Sequence, residues 1–187
     1  MVLHTLRNAH GISYNSHTTT LSAKLPTRLH ASVRLWMMYE LTNMRDTGFL
    51  SYGEYKDIEL ITGEGKFSTI FTDLSTSAVF LLNHKIAIAG FGGRYAHAGK
   101  GADAALRPEN LDVPTIVVEV GYIQSLPSLH MDMDHWLRGG SPTVAMVIQS
   151  NFLVREPARV ACQLMVHRLD PVTQEPALTA THVRDNL

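Results

Sequence analysis

The segment 114–137, PTIVVEVGYIQSLPSLHMDMDHWL, contains the pattern that decides the fold. A proline opens a run of β-branched residues typical of a buried strand, and a helical pattern follows that strand. One acid, Glu119, lies inside the apolar run, on the same face of the strand as Thr115 and Val117. A lone carboxylate in a buried strand is costly unless a partner or a metal ion offsets its lost hydration. Glu119 is therefore the first candidate functional residue.

The composition is that of an ordinary globular domain. Of the 187 residues, 45% are hydrophobic and 18% are charged, and the formal net charge is -1. Because no strongly basic field is present, binding to nucleic acid would need a local patch. The single cysteine, Cys162, excludes an internal disulfide and a multi-cysteine metal site. No apolar run is long enough to span a membrane and no secretory pattern opens the chain. We expect a soluble intracellular protein with no membrane partner, in the nucleus or the cytosol.

The patterning outside this segment predicts a mixed central sheet flanked by helices, in the α/β or α+β class. Residues 11–25 are typical of two short strands around a polar turn, and Thr27 is a candidate N-cap for a helix over 28–44. The other expected elements are an irregular connection with room for a short helix over 49–77, a hairpin over 78–90, a flexible glycine-rich loop over 90–101, strands over 102–108, 143–149 and 158–169, and a loose tail over 170–187. We expect a single domain over 1–187.

A second acid precedes the buried strand. Asp103 lies sixteen residues before Glu119, at the start of the short strand pattern KGADAALRP. Two antiparallel strands joined by a loop of this length would bring both carboxylates together. Two close carboxylates repel each other, and a divalent cation relieves that repulsion. A metal ion held in this way activates water and stabilises the charge that develops on a phosphate.

These features resemble the PD-(D/E)XK restriction-endonuclease-like superfamily. More closely, residues 11–150 resemble fungal proteins of unassigned role with a predicted nuclease-like core, whose patterns are KxPDxxxRP, matched at 100–108, and PTLVxEVGxSxSLxxLxxDxxWWL, matched at 114–137. The resemblance implies a restriction-endonuclease-like core, phosphodiester hydrolysis on DNA or RNA, and Mg²⁺ or Mn²⁺ bound by Asp103 and Glu119.

Two positions depart from the family pattern. Ala102 replaces the proline before the motif aspartate, and Gly121 stands where the family carries its lysine. A nuclease needs positive charge near the attacking water and the scissile phosphate. That charge would then come from Lys100, Arg107 or His130, and Lys100 is nearest in sequence to the motif aspartate.

A catalytically inactive alternative remains open. Gly121 and the near-neutral charge favour a nuclease-fold scaffold that binds a protein partner or nucleic acid without cleaving it. In that case Glu119 simply accepts hydrogen bonds from a neighbouring helix or pairs with Arg107, and Asp103 is a turn-forming aspartate.

Two weaker interpretations concern metal and assembly. His130 and His135 lie five residues apart on the predicted helix, which does not suit a shared zinc ion. The last predicted strand has Arg159 and Arg168 as its only obvious charges against edge pairing, so a homodimer through that edge is a further hypothesis.

Overall fold

The structure is a computed structural model that describes residues 11–24, 27–62, 65–67, 90–122, 126–155 and 159–184. Its strands are β1 (Gly11–Asn15), β2 (Thr20–Lys24), β3 (Ile58–Thr62), β4 (Gly65–Phe67), β5 (Ala104–Pro108), β6 (Ile116–Tyr122), β7 (Met146–Arg155), β8 (Arg159–Leu169) and β9 (Pro176–Arg184). Its helices are α1 (Arg28–Asp46), α2 (Tyr52–Lys56) and α3 (Leu126–Asp134). A 3-10 turn covers Gly93–Tyr95, and a π-helical turn, His135–Gly139, continues α3.

The described strands form a hairpin of β1 and β2 and a mixed sheet with the order β4-β3-β5-β6-β7-β8-β9. The pair β6 and β7 is parallel, and the other neighbours in the sheet are antiparallel. A mixed sheet with helices confirms the predicted α+β class. None of the helices in the described ranges combines the length and the apolarity that crossing a membrane requires.

Strand β6 lies in the middle of the sheet and is buried on both faces. Val118 and Val120 pack into a core with α1, through Val33, Met37 and Leu41. On the opposite face, Val117 packs into a second core, formed with Trp136 and Leu137 of the π-helical turn. Because side chains alternate along a strand, Glu119 belongs to the second face.

The start of α1 agrees with the sequence only in part. Thr27 occupies the N-cap position that the sequence predicts, but its side chain makes no capping hydrogen bond. Its hydroxyl instead lies 2.6 Å from Nδ1 of His30. The hydroxyl thus fixes a histidine ring of the first helical turn, and the other nitrogen of that ring faces Asp103.

The structure corrects the prediction at two places and leaves a third outside the described residues. The expected irregular connection contains the anticipated short helix, α2, but also strands β3 and β4, and β3 is held by pairing with β5, far along the chain. The expected loose tail was wrong, because β9 pairs with β8 along its length. The polar sequence of β9 shows little of the hydrophobic pattern that predicts a strand, because backbone hydrogen bonds rather than core burial hold an edge strand. The predicted hairpin over 78–90 falls almost entirely on residues outside the described part.

Candidate functional site

The two motif acids come from neighbouring strands, as the sequence predicts. Strands β5 and β6 are antiparallel, with Ala104 opposite Val118. Asp103 directly precedes Ala104 and therefore lies at the level of Glu119. One carboxylate oxygen of Asp103 accepts a hydrogen bond from the backbone N–H of Val120 at 2.7 Å. This bond ties the start of β5 to the end of β6.

The carboxylate of Asp103 is turned toward α1. Its Oδ1 lies 3.8 Å from Nε2 of His30, and both side chains are mostly buried. The other ring nitrogen of His30 meets the hydroxyl of Thr27. The first turn of α1 thus supplies a second group to the site, which sequence reasoning missed because nothing local marks His30 as more than a helix residue.

The carboxylate of Glu119 is buried and is closed in by other partners. The side chain is 0% exposed, and Lys100 Nζ lies 3.5 Å from its Oε1. The same oxygen accepts a 2.6 Å hydrogen bond from the indole N–H of Trp136. At the junction of β5 and β6 the two acids therefore have different partners: Asp103 meets His30 and the N–H of Val120, and Glu119 meets Lys100 and Trp136.

Lys100 is a buried residue, which corrects the expected flexible loop. Its side chain is 2% exposed, and its ammonium group contacts the carboxylates of both Asp132 and Glu119. The same group lies 5.9 Å from the centre of the Trp136 ring. The loop is fixed because Gly99 forms a β-bridge with Tyr14. One ammonium group thus holds two carboxylates from different elements.

The other two candidate cations lie elsewhere. Arg107 donates two hydrogen bonds to Glu59, at 2.5 and 3.1 Å, directly across the pairing of β3 and β5. The alternative in which Arg107 pairs with Glu119 is therefore wrong. His130 is exposed on α3, and its ring faces His167 of β8. Of the three candidates, Lys100 is the one that the structure places beside Glu119.

Packing explains why position 121 is a glycine. A Cβ atom at this position would lie 3.0 Å from Cδ2 of Leu129 and 3.2 Å from Oδ1 of Asn151. The first of these neighbours belongs to α3 and the second to β7. The close approach of α3 fills the space that a side chain would need, and Lys100 brings its charge to Glu119 from the preceding loop instead.

The donor types at the site suit a hard cation. Asp103 and Glu119 offer carboxylate oxygens, and Mg²⁺ is commonly bound through one or two carboxylates, with water completing its shell. In the described ranges, no group of three or more histidine, cysteine or acidic side chains is arranged to hold a metal ion. The two carboxylates are therefore of the ligand type that Mg²⁺ and Mn²⁺ prefer.

A surface groove lies on the outer side of α3. Its volume is about 630 Å³, and it is lined by Asn15, His17, Thr18, Arg94, Tyr95, Pro127, His130, Met131, Met133, Asp134, Arg138, Glu175 and Pro176. Burial and the hydrogen bond to Asp134 raise the pKa of Tyr95 to about 12. Burial works against ionisation of Asp134, but hydrogen bonds from Tyr95 and Arg138 outweigh it and hold the pKa of Asp134 below its usual value. Lys100, Asp103 and Glu119 are not among the residues that line this groove.

His135 is a buried histidine at the base of the same region. Its ring stacks on Tyr95 with centres 4.6 Å apart and contacts Phe91 at 4.7 Å. Its Nε2 is buried and has no hydrogen-bond partner among the described residues. Burial, followed by the positive charge of Lys100, lowers the pKa of His135 to about 4. The ring is therefore neutral in the folded protein at neutral pH.

We expect acid to destabilise the fold through His135. The folded pKa of about 4 lies below the ordinary value of 6.5, so below pH 6.5 the unfolded chain binds more protons than the folded one. The stability due to the neutral ring is complete above pH 6.5 and declines as the pH falls toward 4, by roughly 2 kcal/mol at pH 4.5. Urea unfolding of the wild type and of His135→Gln, measured between pH 7 and 4.5, tests this. An equally steep loss in the variant would contradict it.

No protein-family model, no curated protein and no solved structure matches this chain.

Proposed function

We propose that this chain carries a metal-dependent phosphodiesterase centre for DNA or RNA, formed by Asp103, Glu119 and Lys100. The observation that carries the proposal is the 3.5 Å separation between Lys100 Nζ and Glu119 Oε1. That contact brings a positive charge to the acid of β6, where the family lysine is replaced by Gly121. The antiparallel pairing of β5 and β6 and the resemblance to the PD-(D/E)XK pattern support the same assignment.

Each residue has a defined task in this proposal. Asp103 and Glu119 would hold Mg²⁺ or Mn²⁺, which, when bound, activates water and offsets the charge of the phosphate. Lys100 stabilises the negative charge that grows on the phosphate oxygens as water attacks phosphorus and the bond to the leaving oxygen breaks. Asp132 fixes the ammonium group of Lys100 beside Glu119.

A catalytically silent scaffold is the second candidate, and a specific observation favours it. Glu119 is fully buried and already contacts an ammonium group and an indole N–H, so its charge is offset without a metal ion. Asp103 is likewise engaged, by the backbone N–H of Val120 and by His30. In this alternative the acids stabilise the core, and the domain binds a protein partner or nucleic acid without cleaving it.

The two candidates differ in what divalent metal does. With millimolar Mn²⁺ we expect the purified chain to nick supercoiled plasmid DNA or to cleave single-stranded RNA. Asp103→Asn and Glu119→Gln should each lower the rate by about 100-fold or more, because each removes a charged ligand. Gel electrophoresis of time courses measures the rate, and Asp46→Asn, at an exposed position at the end of α1, is the matched control.

Because Glu119 is buried, its substitution could destabilise the fold, so the folding of each variant is measured alongside these assays. Circular dichroism must show that each variant is folded at the assay temperature. Cleavage at the wild-type rate in both acid variants would overturn the assignment of the centre. Absence of cleavage, together with absence of Mn²⁺ binding by calorimetry at millimolar metal, would establish the silent scaffold instead.

A further inference from the structure

Two histidines from different elements face each other between α3 and the sheet. The rings of His130 and His167 have centres 5.9 Å apart and planes at 70°. His167 lies on β8, is 5% exposed, and has a buried Nε2 without a hydrogen-bond partner in the described part of the chain. His130 is exposed and lines the groove beside α3, so one member of the pair is open to solvent.

A third polar group lies beside this pair. Gln149 of β7 is fully buried, and its Oε1 has no hydrogen-bond partner among the described residues. Val147 is paired with His167 across β7 and β8, so Gln149, two residues further along, is on the same face of the sheet. The amide nitrogen of Gln149 donates at 2.6 Å to the carbonyl of Leu129, the residue that precedes His130. Two buried polar atoms without partners among the described residues, His167 Nε2 and Gln149 Oε1, therefore lie on the face of the sheet that α3 contacts.

We propose that His130 and His167 form a binding site for a transition-metal ion of the Zn²⁺ class. Buried polar groups without partners are rare in folded proteins and call for a specific occupant such as an ion or a water molecule. Two imidazoles on one zinc ion, with Zn–N distances of about 2.0–2.1 Å, place their ring centres roughly 5 to 6 Å apart. The observed separation of 5.9 Å falls within that range.

The remaining positions of such an ion are filled by water. Gln149 Oε1 would accept a hydrogen bond from a metal-bound water molecule. That bond would give this buried oxygen the partner that it otherwise lacks among the described residues. With two protein ligands the site binds more weakly than a closed structural zinc site of four ligands. We expect one equivalent of Zn²⁺ with micromolar affinity.

This site differs in chemistry from the acids of β5 and β6, although Gln149 pairs with Glu119 across β6 and β7. Imidazole nitrogen suits Zn²⁺, Cu²⁺ and Ni²⁺, whereas Mg²⁺ and Mn²⁺ prefer carboxylate and water. The sequence directs attention to His130 with His135, but His135 packs against Tyr95 and Phe91 instead. The partner of His130 comes from a strand much later in the chain, which the spacing of histidines along one helix does not reveal.

Calorimetric titration of the full chain, purified without a histidine tag, with Zn²⁺ tests the proposal. We expect the wild type to bind one equivalent, and His130→Ala and His167→Ala each to weaken binding by about 10-fold or more. His97→Ala and His182→Ala replace exposed histidines outside the site and serve as matched controls with unchanged binding. An excess of Mg²⁺ should not displace Zn²⁺.

The variant of the exposed residue, His130, keeps the test decisive. His167 is buried, so its variant must first be shown to fold by circular dichroism, whereas His130→Ala removes only an exposed ring. Unchanged affinity and stoichiometry in His130→Ala would overturn the proposal. So would the lack of saturable Zn²⁺ binding by the wild type below millimolar concentration.

Discussion

Trp136→Ala is expected to lower the free energy of unfolding by about 4 kcal/mol. The Trp136 side chain is 0% exposed and belongs to the core under α3, where its ring meets Phe91 edge to face at 5.3 Å. Its indole N–H also donates to Glu119. The alanine variant leaves a cavity and also removes a donor from a buried carboxylate, so the two costs add. Urea denaturation of the purified chain, followed by circular dichroism, gives the value.

Two further tryptophan variants separate these contributions. Trp36 of α1 is 36% exposed and donates to Glu40 at the helix surface, so Trp36→Ala should cost less than about 1 kcal/mol. Trp136→Phe keeps most of the ring volume but loses the donor to Glu119, and we expect a cost of about 1–3 kcal/mol. Equal costs for Trp36→Ala and Trp136→Ala would contradict the placement of Trp136 in the core.

Lys100→Met is expected to destabilise the fold by about 3 kcal/mol or more. The methionine has a similar length, but it leaves Glu119 without its ammonium partner in a fully buried position. Asp132 loses the same partner, at a smaller cost because its side chain is partly exposed. Lys56→Met, at an exposed position where the ammonium group lies over the Tyr52 ring, is the matched control and should be close to neutral. Chemical denaturation at neutral pH measures both.

A double variant tests whether Lys100 stabilises the fold through its contact with Glu119. In Glu119→Gln the buried charge is gone, so adding Lys100→Met should cost at least about 1 kcal/mol less than it does in the wild type. Strict additivity of the two changes would mean that the 3.5 Å contact contributes nothing to stability. This cycle measures the structural role of the pair and is independent of any cleavage activity.

Local sequence patterns predicted the elements close to the site. The run of β-branched residues after Pro114 predicted β6, the period of the following residues predicted α3, and Thr27 predicted the start of α1. Each of these signals depends on residues within a few positions of one another, such as alternation along a strand or a cap at a helix start. The mixed sheet follows from the order of these elements.

Elements that depend on distant partners escaped prediction. Strand β3 is held by its pairing with β5, and β9 is held by its pairing with β8. Both strands have sequences with weak hydrophobic periodicity. Pairing through backbone hydrogen bonds requires no particular pattern of side chains, so it leaves no mark in the sequence. The same limitation applies to the site, where the acceptors of the Lys100 ammonium group include Asp132, a residue on a helix that follows the next two strands of the chain.

The sequence by itself determined that Glu119 is buried in a central strand and that Asp103 starts the strand beside it. Only the tertiary structure decided what each acid meets: Lys100 and Trp136 for Glu119, and His30 for Asp103. Alternation assigns a residue to one side of its own strand, but the helix that covers that side is set by packing across the whole sheet. The partner that offsets a buried charge is therefore a property of the fold and cannot be deduced from the strand that carries the charge.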